Sequence, residues 1–209
     1  MDDLLFTVFS FIGTVAFALS GAVTAMNEDY DILGIFILGL VTAFGGGVIR
    51  NLLIGIPPTS LWSQSFMLHS ALISITIILI VPVKWIHTWL KVEVFFDAIG
   101  LAAFAVQGAM YAVSTHQPVI AVVFAAMMTG IGGGVVRDVL AGRKPVVFRE
   151  DLYAIWAITG GLIIGLGWAR ASSELWIVFA FIVVMRLLSF KYKWKLPKRH
   201  LYEKEGVKG

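Results

Sequence analysis

Cysteine is absent from this chain of 209 residues, so neither a disulfide framework nor a thiolate metal site can form. Histidine is scarce: His69, His87, His116 and His200 stand apart and show no zinc-ligand spacing. Charge is scarce too. Charged residues make up 14% of the chain, against about 25% in a soluble globular domain. What fills the chain is apolar: 59% of the residues are hydrophobic and the mean hydropathy is +0.90. No metal and no cofactor is expected. No nucleophile stands beside a base, so an enzyme is not expected either.

The apolar residues arrive in blocks close to the ~20 residues that cross a bilayer as a helix. Seven spans are predicted: Leu4–Met26, Ile32–Leu53, Ser65–Val83, Val94–Val113, Pro118–Leu140, Leu152–Ala169 and Leu175–Ser189. Polar and turn residues separate them. The first block is expected to remain as a helix, because Asp2 and Asp3 stand where a signal peptide carries positive charge. Trp62, Trp85, Trp89, Trp168 and Trp194 fall near span ends, as an interfacial aromatic belt requires. The reading is an all-α membrane protein: one transmembrane domain over residues 1–190, followed by a basic tail over 191–209.

Lys and Arg set the orientation. With the N-terminus outside, the inner segments hold Lys84, Lys91, Arg143, Lys144 and Arg149, and the tail adds seven more. Only Arg170 falls outside. Positive residues collect on the cytoplasmic side, so the prediction is N-out and C-in. The formal net charge of +3 therefore does not point to nucleic acid. The tail lies where it can meet anionic lipid headgroups, or simply fix topology.

A shift of 87 residues overlays the sequence on itself without a gap, residues 6–62 on 93–149. Phe9, Gly13, Phe17, Gly21 and Ala25 meet Phe96, Gly100, Phe104, Gly108 and Ala112. Further on, Thr42, Gly45, Gly46, Gly47, Arg50, Gly55 and Pro58 meet Thr129, Gly132, Gly133, Gly134, Arg137, Gly142 and Pro145. The repeats are placed at 4–85 and 92–170, with a seventh helix at 172–190 outside them. Each unit holds three spans, an odd number, so the second enters the membrane from the other side. Inverted repeats of this kind carry a site near the midplane at their interface.

Two elements carry the chemistry: Gly45-Gly46-Gly47 followed by Arg50-Asn51, and Gly132-Gly133-Gly134 followed by Arg137-Asp138. Consecutive glycines disfavour helix by roughly 1 kcal/mol each, so a kink or break is expected in each span. Freed backbone is tolerated at membrane depth where it is buried in protein or lines a water-filled cavity. An arginine inside a span points inward or to a polar path. The two elements are expected to face each other in one central polar zone. The competing reading is that the glycines only let helices pack closely, as Gly13, Gly21, Gly100, Gly108, Gly161 and Gly165 are also placed to do.

Other polar residues join this candidate path. Ser20 and Gln107 are equivalent positions in the first helix of each repeat. Asp97 lies near the inner end of the fourth span. Asp138 is placed to pair with an arginine or to sit at a water-filled mouth. Thr42 and Thr129 are expected to bond their own backbone, and His69 to be a satisfied packing residue. The first copy carries Asn51 where the second carries Asp138, so the halves differ in charge.

The paired Gly-Gly-Gly-x-x-Arg-Asn/Asp elements, the plan of three helices, three helices and one, and the basic end resemble the trimeric intracellular cation channel (TRIC) superfamily. Within it, the chain is most similar to the bacterial branch also labelled with a glycine-transporter domain. The resemblance implies a homotrimer in a prokaryotic inner membrane, with one pore inside each protomer. It implies potassium-permeable conduction, constricted at glycine-broken second and fifth helices. Two functions follow from the residues. In a channel, freed carbonyls and polar side chains coordinate a partly dehydrated cation. In a carrier for glycine or another small zwitterion, the arginines bind the carboxylate. A scaffold or lipid-binding role is a third reading.

Overall fold

The computed structural model describes residues 3–53, 57, 59, 64–82, 92–149 and 152–194. Its helices are α1 (Asp3–Asn27), α2 (Ile32–Leu53), α3 (Ser65–Ile80), α4 (Val92–Ser114), α5 (Val119–Leu140), α6 (Val146–Arg149), α7 (Tyr153–Gly165) and α8 (Ser172–Tyr192). No strand occurs among the described residues. Among the described residues five helices, α1, α2, α4, α5 and α8, are long and apolar enough to cross a membrane; α3 and α7 are shorter apolar helices. Each predicted span overlaps one of these helices, and α2 matches to the residue; Val83, the predicted end of the third span, lies outside the described residues. The four-residue α6 was not predicted. It begins just after Pro145, whose fixed φ suits a helix start. Of the expected aromatic belt, Trp168 and Trp194 are exposed just past α7 and α8. Trp62, Trp85, Trp89, Lys84, Lys91, Gly55, Pro58 and the tail beyond 194 lie outside the described residues.

The helices end where their sequences stop them. Gly142 and Gly167 take the left-handed conformation (φ 70° and 75°) just past α5 and α7. In each case the glycine's own N–H and the next one fold back on helix carbonyls: Gly142 on Val139 and Arg143 on Asp138, then Gly167 on Ile164 and Trp168 on Ile163. This is the double-bonded C-terminal cap that glycine favours. Asp29 and His116 adopt the same left-handed turn after α1 and α4, and they are 87 residues apart. At the other end, Asp31 accepts from Gly34 N–H (2.7 Å) to cap α2. Glu174 accepts from the N–H groups of Arg170 and Ala171 ahead of α8.

α1, α2, α4 and α5 form the centre: α1 packs on α2 and α4, and α5 on α4 and α2. One apolar cluster joins the start of α1 to α4, α5, α7 and α8; a second joins the end of α1 to α2 and α3. Between α1 and α4 the phenylalanines exchange places. Phe104 lies against Gly13, Phe17 lies against Gly100, and the two rings meet edge-on at 5.3 Å. A side chain at either glycine would collide with the opposite ring. The 87-residue equivalence exchanges these two contacts, Gly13 with Gly100 and Phe17 with Phe104, so they relate the halves by an approximate two-fold axis.

α8 is fastened to α7 by polar contacts. Trp156 Nε1 donates to Ser189 Oγ at 2.9 Å, and the buried Arg186 guanidinium lies 4.7 Å from the Tyr153 ring centroid. Trp156→Phe keeps most of the packing and removes the hydrogen bond. The expected cost is about 1 kcal/mol, read as a lowered midpoint of thermal unfolding in detergent.

Candidate functional site

The site begins where α2 and α5 cross. Helix runs unbroken through both glycine triplets, so the expected breaks are not there. The reason lies in the neighbour. A side chain on Gly46 would land on the Thr129 carbonyl, and one on Gly133 on the Thr42 carbonyl. Gly45 and Gly132, themselves equivalent positions, lie against Gly133 and Gly46. Thr42-x-x-x-Gly46 and Thr129-x-x-x-Gly133 thus form a small-residue crossing that brings backbones into contact. The hydroxyls of Thr42 and Thr129 turn away to the Leu38 and Ala125 carbonyls, each at 2.6 Å. Two glycines of each triplet are therefore packing residues. The third differs: a Cβ on Gly47 meets nothing within 4 Å, whereas one on Gly134 lies 3.1 Å from the Tyr153 hydroxyl and 3.4 Å from Asp97 Oδ1.

Because the crossing is antiparallel, Arg50 and Arg137 leave it in opposite directions. Twelve helical positions separate their levels, roughly 18 Å at 1.5 Å per residue. The single central polar zone expected from sequence is corrected to two zones, one at each end of the crossing. In each, an arginine reaches from one repeat to the first helix of the other.

At one end, Arg137 is 1% exposed. Its Nη1 donates to Asp97 Oδ1 (2.7 Å) and to Ser20 Oγ (2.6 Å), and its Nε and Nη2 meet Asp138 Oδ1, each at 2.9 Å. Asp138 Oδ2 accepts from Val146 N–H at 2.8 Å, holding α6. Arg143 closes the group from the turn after α5. Its Nη2 lies 2.7 Å from Glu93, 3.2 Å from Thr24 Oγ1 and 3.4 Å from Asp138, and its Nε 3.7 Å from Glu28. Four carboxylates thus surround two guanidinium groups.

At the other end, Arg50 is 6% exposed. Its Nη1 donates to Gln107 Oε1 (2.8 Å), and its Nε and Nη2 donate to Asn51 Oδ1 (3.2 and 3.0 Å). Gln107 Nε2 donates in turn to Ser10 Oγ at 2.5 Å. The Tyr111 ring covers the guanidinium at 5.1 Å. No carboxylate pairs with Arg50 among the described residues.

Ser20, Gln107, Arg50, Asn51, Arg137, Asp138 and Asp97 are therefore brought together in two groups as arginine partners. Thr42 and Thr129 bond their own backbone, as expected. His69 is satisfied by the Ser65 carbonyl (2.6 Å) but is exposed rather than packed. Ser10, Thr24, Glu93, Tyr111, Arg143 and Tyr153 escaped the sequence reading. The signal for three of them was available: the 87-residue shift places Ser10 on Asp97, and Thr24 on Tyr111. Arg143 counted there only as a topological charge. Among the described residues no group of three or more His, Cys, Asp or Glu could hold a metal ion.

Comparison with known proteins matches this architecture. The model of the family described as "Glycine transporter" fits the chain twice, over residues 7–82 and 94–169. The two matches are offset by the same 87 residues. UPF0126 membrane protein YvgT of Bacillus subtilis (strain 168) is 55% identical over 190 residues, covering 91% of this chain and 94% of that protein. Among solved structures, a TRIC cation channel studied for its conductance is 36% identical with a TM-score of 0.79, covering 95% of this chain and 98% of that one. A prokaryotic TRIC channel crystallised in 0.5 M KCl is 33% identical with a TM-score of 0.79, covering 92% and 99%. The chain is thus a multi-pass integral membrane protein with the TRIC channel fold, and it belongs to the glycine-transporter family.

Proposed function

We propose that the protein is a potassium-permeable cation channel, assembled as a homotrimer with a pore within each protomer. In this reading seven helices cross the membrane, with the N-terminus outside and the C-terminus in the cytoplasm, and the Arg137 group lies at the cytoplasmic end. The observation that carries it is the charge of that group. Asp97, Asp138, Glu93 and Glu28 outnumber Arg137 and Arg143. A cleft with excess negative charge and low-dielectric walls concentrates cations. Similarity to two TRIC channels above 30% identity supports the same assignment.

The constriction lies at the level of the glycine crossing, but not between the two helices, whose backbones touch there. The path skirts the crossing on the face that carries Gly47 and Gly134. It is open beside Gly47 and narrowed beside Gly134 by Tyr153 and Asp97. Arg137 and Arg143 act as latches that hold α1, α4 and α5 together across the inner mouth. The glycine-carrier alternative loses Arg137 as a carboxylate site, because that guanidinium already holds two carboxylates.

Purified protein in liposomes under a potassium gradient tests this. Potassium flux is expected to exceed glycine uptake through the same preparation, and Arg143→Gln is expected to raise it several-fold by freeing Glu93 and Glu28. Saturable glycine uptake without potassium flux refutes the channel.

A further inference from the structure

The two-fold relation lets one half of the protein serve as the reference for the other. Arg137 has two carboxylate partners supplied by the fold, Asp97 and Asp138. The equivalent positions around Arg50 are Ser10 and Asn51, both neutral. Both arginines are buried, 6% and 1% exposed, and a buried charge is costly unless it is paired. The carboxylates that neutralise Arg137 thus have no counterpart at Arg50.

Space for an external counter-charge is present. Arg50 lines a cavity of about 360 Å³ with Leu53, Ala112, Gln117 and Phe124. Its three donations, two to Asn51 and one to Gln107, leave guanidinium hydrogens over, since the group carries five N–H donors. The Tyr111 ring occupies one face, so a ligand approaches at the edge, where an anion accepts hydrogen bonds in the guanidinium plane.

We propose that Arg50, framed by Gln107, Asn51 and Tyr111, is a binding site for one small monovalent anion, a halide or a carboxylate, entered from this cavity. The anion stands in for Asp138 and Asp97 of the other half. It neutralises the one arginine of the pathway whose described partners are all uncharged. The site binds whether or not the protein conducts, so its failure and the failure of the channel reading are separate outcomes.

The test is chlorine-NMR line broadening of chloride by the purified full-length protein in uncharged detergent. Wild type is expected to give saturable excess broadening. Arg50→Gln is expected to weaken chloride binding by at least about tenfold, equivalent to losing 1.4 kcal/mol. Asn51→Asp supplies the carboxylate internally, as Asp138 does, and is expected to abolish the broadening while the protein stays folded. This variant carries the test alone if Arg50→Gln does not fold. Arg170→Gln, in an exposed turn, is expected to behave as wild type. Displacement of chloride by acetate but not glycine identifies a site for simple anions; displacement by both extends it to zwitterionic carboxylates. Broadening that does not saturate, that is unchanged in Asn51→Asp, or that neither acetate nor glycine displaces overturns the proposal.

Discussion

Gly46→Ala is expected to destabilise the protein by about 3 kcal/mol, the upper end of the usual cost of overpacking. The added methyl falls on the Thr129 carbonyl, a backbone atom in the middle of a helix. No side chain can rotate to relieve it, so α2 and α5 must move apart along their whole contact. Gly133→Ala meets the Thr42 carbonyl and the Phe17 ring and is expected to cost at least as much. Gly47→Ala is the control. Its Cβ meets nothing within 4 Å, and the substitution removes roughly 1 kcal/mol of helix penalty. Thermal unfolding followed by size-exclusion fluorescence in detergent separates them: a fall in midpoint for the first two, and none for the third. Equal midpoints across all three would show that the triplet does not work as a crossing.

The second large effect belongs to Arg137. Arg137→Gln leaves Asp97 buried without a cation and Asp138 with only Arg143 at 3.4 Å, and breaking such a buried pair costs about 3–5 kcal/mol. Arg50→Gln removes only bonds to neutral partners, for which about 1–3 kcal/mol is the scale. Denaturant or thermal unfolding of the two variants should therefore rank Arg137 well ahead. Adding Asp97→Asn to Arg137→Gln should recover part of the loss, because it removes one stranded charge. A double variant no more stable than Arg137→Gln alone would mean that Asp97 and Arg137 are not energetically coupled.

The outline of this fold was readable because hydrophobic blocks and a gapless repeat are both one-dimensional signals. Ile32–Leu53 and Val119–Leu140 carry them together, which is why those helices were placed almost to the residue. The state of the glycine triplets was not readable. Intrinsic propensity puts a few kcal/mol against helix there, while a break inside a membrane exposes backbone groups that lipid cannot satisfy. Which term prevails depends on Thr42 and Thr129 arriving opposite the glycines, and that is a fact of the fold. The partners of the arginines were half readable. Ser20, Gln107, Asn51, Asp138 and Asp97 stood out as polar atoms in apolar helices. Arg143 and Glu93 sit at helix ends, where charge is ordinary, so nothing marked them before the turns were placed.

The contact between α2 and α5 has the same surface on both sides, as the interface of a symmetric dimer does. One half of the chain therefore contains everything needed to recognise a second copy of itself, provided the two copies insert in opposite senses. In such a pair every residue change would be made twice. Joining the halves in one polypeptide lifts that restriction everywhere except at the contact itself. Ser10 and Asp97, Ser20 and Gln107, and Asn51 and Asp138 are places beside the arginines where the halves have parted, and the threonine-glycine crossing is where they have not.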